Sequence, residues 1–265
     1  MWTLLRYVKI YFLIEAQYIK ARMQYRLDFV MSLIGMFFLN VTTIFVFWVL
    51  FTTIPELAGY SFDEIIFIYG FYSLAIVPLQ LFFDNIWQLR SHILEGTFIK
   101  YYLRPLNIMF YYMSEMVDLK AISHLLLGIS ALVYSSVHMG LVWDLPRILL
   151  LAAALFGASL VAISIMVVAA SSAFWLVNSF SLVALALRLR DFSPYPLTIF
   201  DGFFRFIFTY LIPIGFVAFY PAQLFLKPSE SSLLIHLSPL VGIATFALAY
   251  LVWRAGVNRC TGTGS

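Results

Sequence analysis

Charge is scarce in this chain, and the scarcity is organised. Only 11% of the 265 residues are Asp, Glu, Lys or Arg, against 63% hydrophobic and 18% aromatic, which leaves too little polar surface to coat a soluble globule of this size. A single cysteine, Cys260, excludes an internal disulfide and any cysteine-rich metal site. His92, His124, His138 and His236 show no paired metal-ligand spacing. No glycine is followed by lysine, so a phosphate-cradling G-x-x-x-x-G-K loop is missing. No metal, cofactor or ATP hydrolysis is therefore expected on this polypeptide, and no nucleic-acid partner.

What is present is long uncharged runs. Residues 29–55, 65–83, 121–143, 148–187, 206–226 and 231–253 contain no Asp, Glu, Lys or Arg, and their lengths are 27, 19, 23, 40, 21 and 23 residues. About 20 apolar residues in a helix cross a hydrocarbon layer about 30 Å thick. The pattern predicts an all-α integral membrane protein with six transmembrane helices. The longest stretch outside the runs, between Asp84 and Lys120, is too short for a folded catalytic domain. Residues 29–260 thus read as one membrane domain.

The 40-residue run would rise about 60 Å as one helix, twice the layer. It has no Gly or Pro between Ala158 and Leu187 to turn a hairpin. The reading is a span from Ile148 to about Trp175, with 178–190 continuing as a helix near the cytoplasmic interface. Lys and Arg stay on the cytoplasmic side of short loops. With six spans and both termini inside, fourteen of the sixteen basic residues fall inside and only Arg147 and Lys227 outside. Residues 55–60, the turn near Asp144 and 227–232 then face out, and the protein is multi-pass in the cell (inner) membrane. Splitting the run into two spans would weaken the bias to ten against six.

Residues 1–28 read as an in-plane amphipathic helix: at 100° per residue Arg6, Lys9, Gln17, Lys20 and Gln24 share one arc, with Leu4, Val8, Tyr11, Phe12 and Ile19 opposite. Trp2, Trp48, Trp87, Trp143, Trp175 and Trp253 fall near element ends, as interfacial anchors do. Ala154, Ala158 and Ala162, with Gly157 beside them, form a small-residue face that suits close packing, inside the subunit or against a second permease.

Ion-coupled transporters bury ionisable groups at mid-membrane, and the runs hold only His124, His138 and His236, all near run ends. No channel filter or charged ring is visible. A membrane-embedded enzyme acting at the outer leaflet through His138, Asp144 or His236 is the alternative from another class; an assembly subunit without its own pathway is a third.

The loop from Asp84 to Asn107 is the distinctive segment, one short helix ending near Gly96 and a second element closed at Arg104-Pro105. Its Leu94-Glu95-Gly96-Thr97 followed by Tyr102-Leu103-Arg104-Pro105-Leu106 resembles the permeases of type-2 ATP-binding-cassette exporters. It is closest to a branch whose operons pair two such permeases with one ATPase. Gln24-Tyr25-Arg26-Leu27-Asp28-Phe29 and the pieces Tyr195-Pro196, Phe204-Arg205, Ile212-Pro213 and Phe219-Tyr220-Pro221 are similar to the same branch. The resemblance implies a permease that forms the translocation path and exports under a separate ABC ATPase, which holds the ATP and Mg. It implies a second permease, homologous rather than identical, although the small-residue face leaves homodimer and heterodimer open.

It also implies a cytoplasmic coupling helix between spans two and three (residues 84–118) and a short extracytoplasmic helical element, here 220–232, between spans five and six. Leu94, Glu95, Gly96 and Thr97 would form the coupling tip. Arg104 and Pro105 would support it, Arg104 pairing with an acidic residue of the ATPase or with lipid phosphate. Residues 261–265 read as an appended tail and are set aside. The substrate is not legible.

Overall fold

A computed structural model describes residues 2–22, 24, 26–228 and 233–259. Five helices are long and apolar enough to cross a membrane: Val30–Thr53 within α2 (Arg26–Thr53), α3 (Phe62–Phe82), α6 (Ala121–His138), Leu145–Phe174, which is α7 (Leu145–Ser171) and its last tight turn, and α12 (Ser238–Arg259). They are preceded by α1 (Trp2–Arg22) and interrupted by short helices: α4 (Leu89–Leu94), α5 (Ile108–Met113), α8 (Phe180–Arg190), α9 (Gly202–Phe206), α10 (Phe219–Leu226) and α11 (Leu233–His236). No strand occurs among the described residues.

Local chemistry sets the helix starts. Ser61 and Glu64 form a reciprocal capping box before α3, and the Asp144 carboxylate accepts the Arg147 N–H at 3.0 Å before α7, with Pro146 in the first turn. Once started, the apolar helices persist because lipid offers the backbone no other hydrogen-bond partner.

α3 is the buried centre, with Ile65, Phe67, Ile68, Phe71 and Ala75 inaccessible. It runs antiparallel to α6 with backbones in contact, since a Cβ on Gly70 would lie 2.9 Å from the Leu132 nitrogen. α7 and α12 run in the same direction: Gly242 sits on Gly157, and Gly256 sits on Phe174. Ala154, Ala158, Ala162 and Ala249 are all buried within this chain. By contrast α2 exposes Phe37, Phe38, Leu39, Phe45 and Val46, an apolar face of the kind lipid covers.

The bundle has two ends. The segment 84–120 marks one, the loop end. The α2–α3 connection marks the other, the turn end, where Leu57 and Tyr60 close a tight turn through paired backbone bonds. α1 belongs to the loop end, its Tyr11 ring lying 5.9 Å from Phe82 and 6.5 Å from Phe110. Lys9, Gln17 and Lys20 are exposed.

Two expectations are corrected here. The 40-residue run does reverse, without Gly or Pro. α7 ends in a tight turn at Ser172–Phe174, the Ser171 and Ser172 hydroxyls bond back to Val167 and Ala169 carbonyls, and Arg90 Nε donates to the Val177 carbonyl at 3.0 Å. A tertiary hydrogen bond does what a turn residue would otherwise do. α8 then leaves the loop end and returns along α7, Leu185 and Leu189 sharing one cavity wall with Ile165 and Val168. The chain reaches the turn end, where Tyr195 meets Phe47 (5.4 Å) and the Thr198 hydroxyl reaches the Ala58 carbonyl (3.5 Å). Residues 178–190 are therefore not an interfacial helix.

Residues 206–226, conversely, are not one through-going helix. α9 and the wide π turn Ile207–Leu211 run inward and stop at Pro213, where Ile214 N–H bonds the Ile212 carbonyl at 2.6 Å in a three-residue turn. The chain returns through Ile214–Phe216 and α10. Both arms are tied to the turn end: Arg205 donates to the Phe200 carbonyl (3.3 Å), Gln223 to the Tyr60 hydroxyl (3.1 Å) and Lys227 to the Gly59 carbonyl (3.1 Å). The Thr209 and Tyr220 hydroxyls, 2.7 Å apart, lock the arms together. The expected element 220–232 is thus the second arm of a longer hairpin, and its residues 229–232 lie outside the described ones, as do Cys260 and the 261–265 tail.

Candidate functional site

The loop between α3 and α6 is a rigid platform with an exposed tip. α4 ends at Glu95, and Gly96 takes a left-handed conformation (φ 70°), closed by Glu95 N–H to Ser91 (2.9 Å) and Gly96 N–H to Ile93 (3.2 Å). A Cβ on Gly96 would meet nothing within 4 Å, so glycine is required there by the backbone angle alone. Thr97–Tyr101 then forms a tight helical turn that drives Phe98 and Tyr101 into the core. At Pro105 the chain bends through a three-residue turn, Leu106 N–H to the Arg104 carbonyl at 2.8 Å, before Asn107 caps α5. Pro105 suits that turn because its ring presets φ.

Aromatic packing holds the platform. Phe98 contacts Tyr101, Tyr112, Phe174 and Trp253 with ring centres 5.2 to 6.4 Å apart, joining the loop to the ends of α7 and α12. Trp253, expected as an interfacial anchor, is 2% exposed and belongs to this cluster. Asn85 Nδ2 donates to the Tyr112 carbonyl (2.6 Å), and the Tyr112 hydroxyl donates to the Asn85 carbonyl (2.8 Å). Tyr102 donates to the Val257 carbonyl at 2.6 Å. The loop is thus fastened to the ends of α7 and α12 by both ring contacts and a hydrogen bond.

Electrostatics reinforce the frame. Lys100 pairs with Glu115 at 3.0 Å, and the Tyr101 hydroxyl donates to the same carboxylate. Burial, with Glu115 adding, pushes the Tyr101 hydroxyl well above its ordinary value, and burial does the same for Tyr112, so both remain neutral donors. His92, 3.2 Å from the Tyr112 hydroxyl, is lowered by burial first and by Lys100 second.

Of the sequence-derived positions, Leu94, Glu95, Gly96 and Thr97 are contiguous and exposed, Leu94 at 52%. Arg104 is exposed as well, its guanidinium 5.4 Å over the Tyr111 ring, and no ion pair among the described residues involves it or Glu95. The outer trio is dispersed into local roles: His138 bonds the Tyr134 carbonyl of its own helix (2.9 Å), and Asp144 caps α7. No cluster of three metal-ligating side chains occurs among the described residues.

Sequence reasoning missed Arg190. Assigned to an interface, it lines a pocket between α2, α3, α7 and α8 beside Met36, Gln80, Met166 and Leu187. The available signal was the polar set Tyr69, Tyr72, Ser73 and His124 inside uncharged runs, since such groups need polar neighbours.

Compared with known proteins, the chain matches the family model described as "ABC-2 family transporter protein" over residues 37–264. No curated protein and no solved structure matches it.

Proposed function

Because the chain belongs to the ABC-2 transporter family, whose members are multi-pass membrane components and not themselves catalytic, we propose that it is the permease subunit of an ABC exporter driven by a separate ATPase. The observation that carries the reading is the exposed tip Leu94, Glu95, Gly96 and Thr97 on a platform fastened to α7 and α12 by Phe98, Trp253 and Tyr102. A partner docking there can move two long helices at once. Arg104, exposed beside the tip, supplies a cation for an acidic residue of the ATPase or for lipid phosphate.

In this reading the chain crosses the membrane six times: α2, α3, α6, α7, the segment from α8 to Thr198, and α12. The hairpin 202–226 dips in from the outer face. Both termini and the loop end are cytoplasmic. Eleven of the sixteen basic residues belong to segments at the loop end, against Arg147, Arg205 and Lys227 at the turn end, which supports that orientation. The translocation path runs along α8, where the exposed ion pair Arg188–Asp191 (3.9 Å) suits a polar path or protein neighbour better than lipid. A second permease, homologous rather than identical, completes the path.

The test is the double variant Glu95→Lys with Arg104→Glu. Membrane abundance is expected to stay normal while the ATPase no longer co-purifies or its ATP turnover no longer responds to the permease. An intact, normally coupled complex would remove the docking assignment.

A further inference from the structure

Two cavities adjoin where α1 and α5 meet α12. The larger, about 420 Å³, lies between Tyr11 of α1, Phe82 of α3, Phe110 and Met113 of α5, and Phe246 of α12. Apart from Asn107 and Ser114 its wall is aromatic rings and methionines. The smaller, about 190 Å³, carries Arg254 and Asn258. Asn107, Met109 and Tyr250 belong to both. Among the described residues of the two walls, Arg254 alone is charged, and no carboxylate lines either cavity. The Arg254 and Asn258 side chains are exposed, and no hydrogen bond or ion pair among the described residues uses them.

One face of α12 grades the site from apolar to polar. Phe246, Tyr250, Arg254 and Asn258 follow at four-residue intervals and so lie along one side of the helix. The Tyr102 hydroxyl, bonded to the Val257 carbonyl, fixes the polar end of that face at the loop end of the bundle. Arg254 to Phe246 is about 12 Å of helix rise, most of the roughly 15 Å of hydrocarbon in one leaflet. Asn107 Nδ2 donates to the Tyr250 hydroxyl at 3.1 Å, which leaves that hydroxyl its own proton to donate. Three donors, on Tyr250, Arg254 and Asn258, therefore stand at the mouth of a cavity whose larger part offers only apolar and aromatic wall.

We propose that these adjoining cavities hold one anionic phospholipid of the phosphatidylglycerol class, its phosphate on Arg254 and Asn258 and one acyl chain running inward past Tyr250 to Phe246. Arginine suits the phosphate because its planar fork donates two parallel hydrogen bonds. A zwitterionic head group brings an ammonium for which neither wall has a carboxylate, and a free phosphate leaves the aromatic cavity unused. The chain fills the space between the Tyr11 side of α1 and the α5 and α12 walls, so the lipid joins the in-plane helix to the bundle. The site requires α12 to cross the bilayer and is independent of the ATPase.

The experiment uses the full-length protein, in the complex in which it purifies, titrated with phosphatidylglycerol, phosphatidylethanolamine or inorganic phosphate and read by native mass spectrometry. Phosphatidylglycerol is expected to be retained in preference to phosphatidylethanolamine, and inorganic phosphate should not displace it. Arg254→Gln is expected to weaken that retention at least about tenfold, the scale of one charge-assisted hydrogen bond. Arg259→Gln removes the same charge from the same helix end but from neither wall, and should leave retention unchanged. Phe246→Trp, which crowds the larger cavity, should weaken retention of phosphatidylglycerol as well. Equal loss in Arg254→Gln and Arg259→Gln, equal retention of phosphatidylethanolamine, displacement by inorganic phosphate, or wild-type retention in Phe246→Trp would each overturn the proposal. If Arg254→Gln does not assemble, wild-type retention in both Arg254→Lys and Asn258→Ala overturns it equally.

Discussion

The seam between α7 and α12 makes a sharp stability prediction at Gly242. A Cβ there would lie 2.2 Å from the Gly157 carbonyl oxygen and 2.7 Å from its carbonyl carbon and Cα. Ordinary contacts begin near 3.4 Å, and the obstructing atoms are backbone, so no rotamer change relieves the clash. The two helices must part by about 1 Å at the crossing, and a gap of that size forfeits a quarter to a half of each contact along the seam. Ala154, Ala158 and Ala162, all inaccessible or nearly so, are placed to lose those contacts. Overpacking at the upper end of its usual range costs about 3 kcal/mol, and alanine's better helix propensity returns about 1.

Gly242→Ala is therefore expected to lose about 2 kcal/mol, or about 4–8 °C in Tm at the scaling of a domain this large. The assay is thermal unfolding of the purified protein in one detergent. Gly35→Ala is the control: nothing lies within 4 Å of its Cβ, so it should be neutral or gain up to about 1 kcal/mol. Gly157→Ala combined with Gly242→Ala should cost less than the sum, because both disturb one contact. If Gly242→Ala unfolds no lower than Gly35→Ala, the direct apposition of these helices is wrong.

Three further outcomes are expected. In a background with Cys260→Ser, a cysteine at Gly202, which is exposed with open space around its Cβ, should react with an impermeant thiol reagent on intact cells, while a cysteine at Ser91 should not; equal behaviour would restore 206–226 as a through-going span. His92 has a folded-state value below its ordinary 6.5, so the folded loop binds its proton less readily than the unfolded chain does. Its contribution is complete above about pH 6.5 and is lost as the pH falls through the lowered value. Protection across 85–115, meaning exchange measured relative to the intrinsic rate at each pH, should fall on acidification from about pH 7 to 5 in the wild type and stay constant in His92→Gln. Gly96→Ala should cost about 1–2 kcal/mol locally, because only the positive φ opposes it. It should raise exchange over 89–101 while the global Tm moves little, and an unchanged exchange rate would refute the backbone argument.

Much of this protein was legible without coordinates. Lipid removes water as a competitor for the backbone, so most uncharged runs near 20 residues become long helices. The runs at 29–55, 65–83, 121–143 and 231–253 each yielded one long helix. The Gly96 break and the Pro105 bend were legible for the same local reason: each residue constrains its own φ. Tertiary contacts decided the rest. The reversal after α7 depends on Arg90 finding the Val177 carbonyl, and the hairpin on Thr209 finding Tyr220. Neither bond has a signature in local composition. Hydropathy counts length, so it read one long run as a span with an interfacial tail and a hairpin as a span, where the backbone reverses in both. Only packing could place Arg190 against Gln80 and Met166, because a charge in sequence looks like a boundary until folded neighbours surround it.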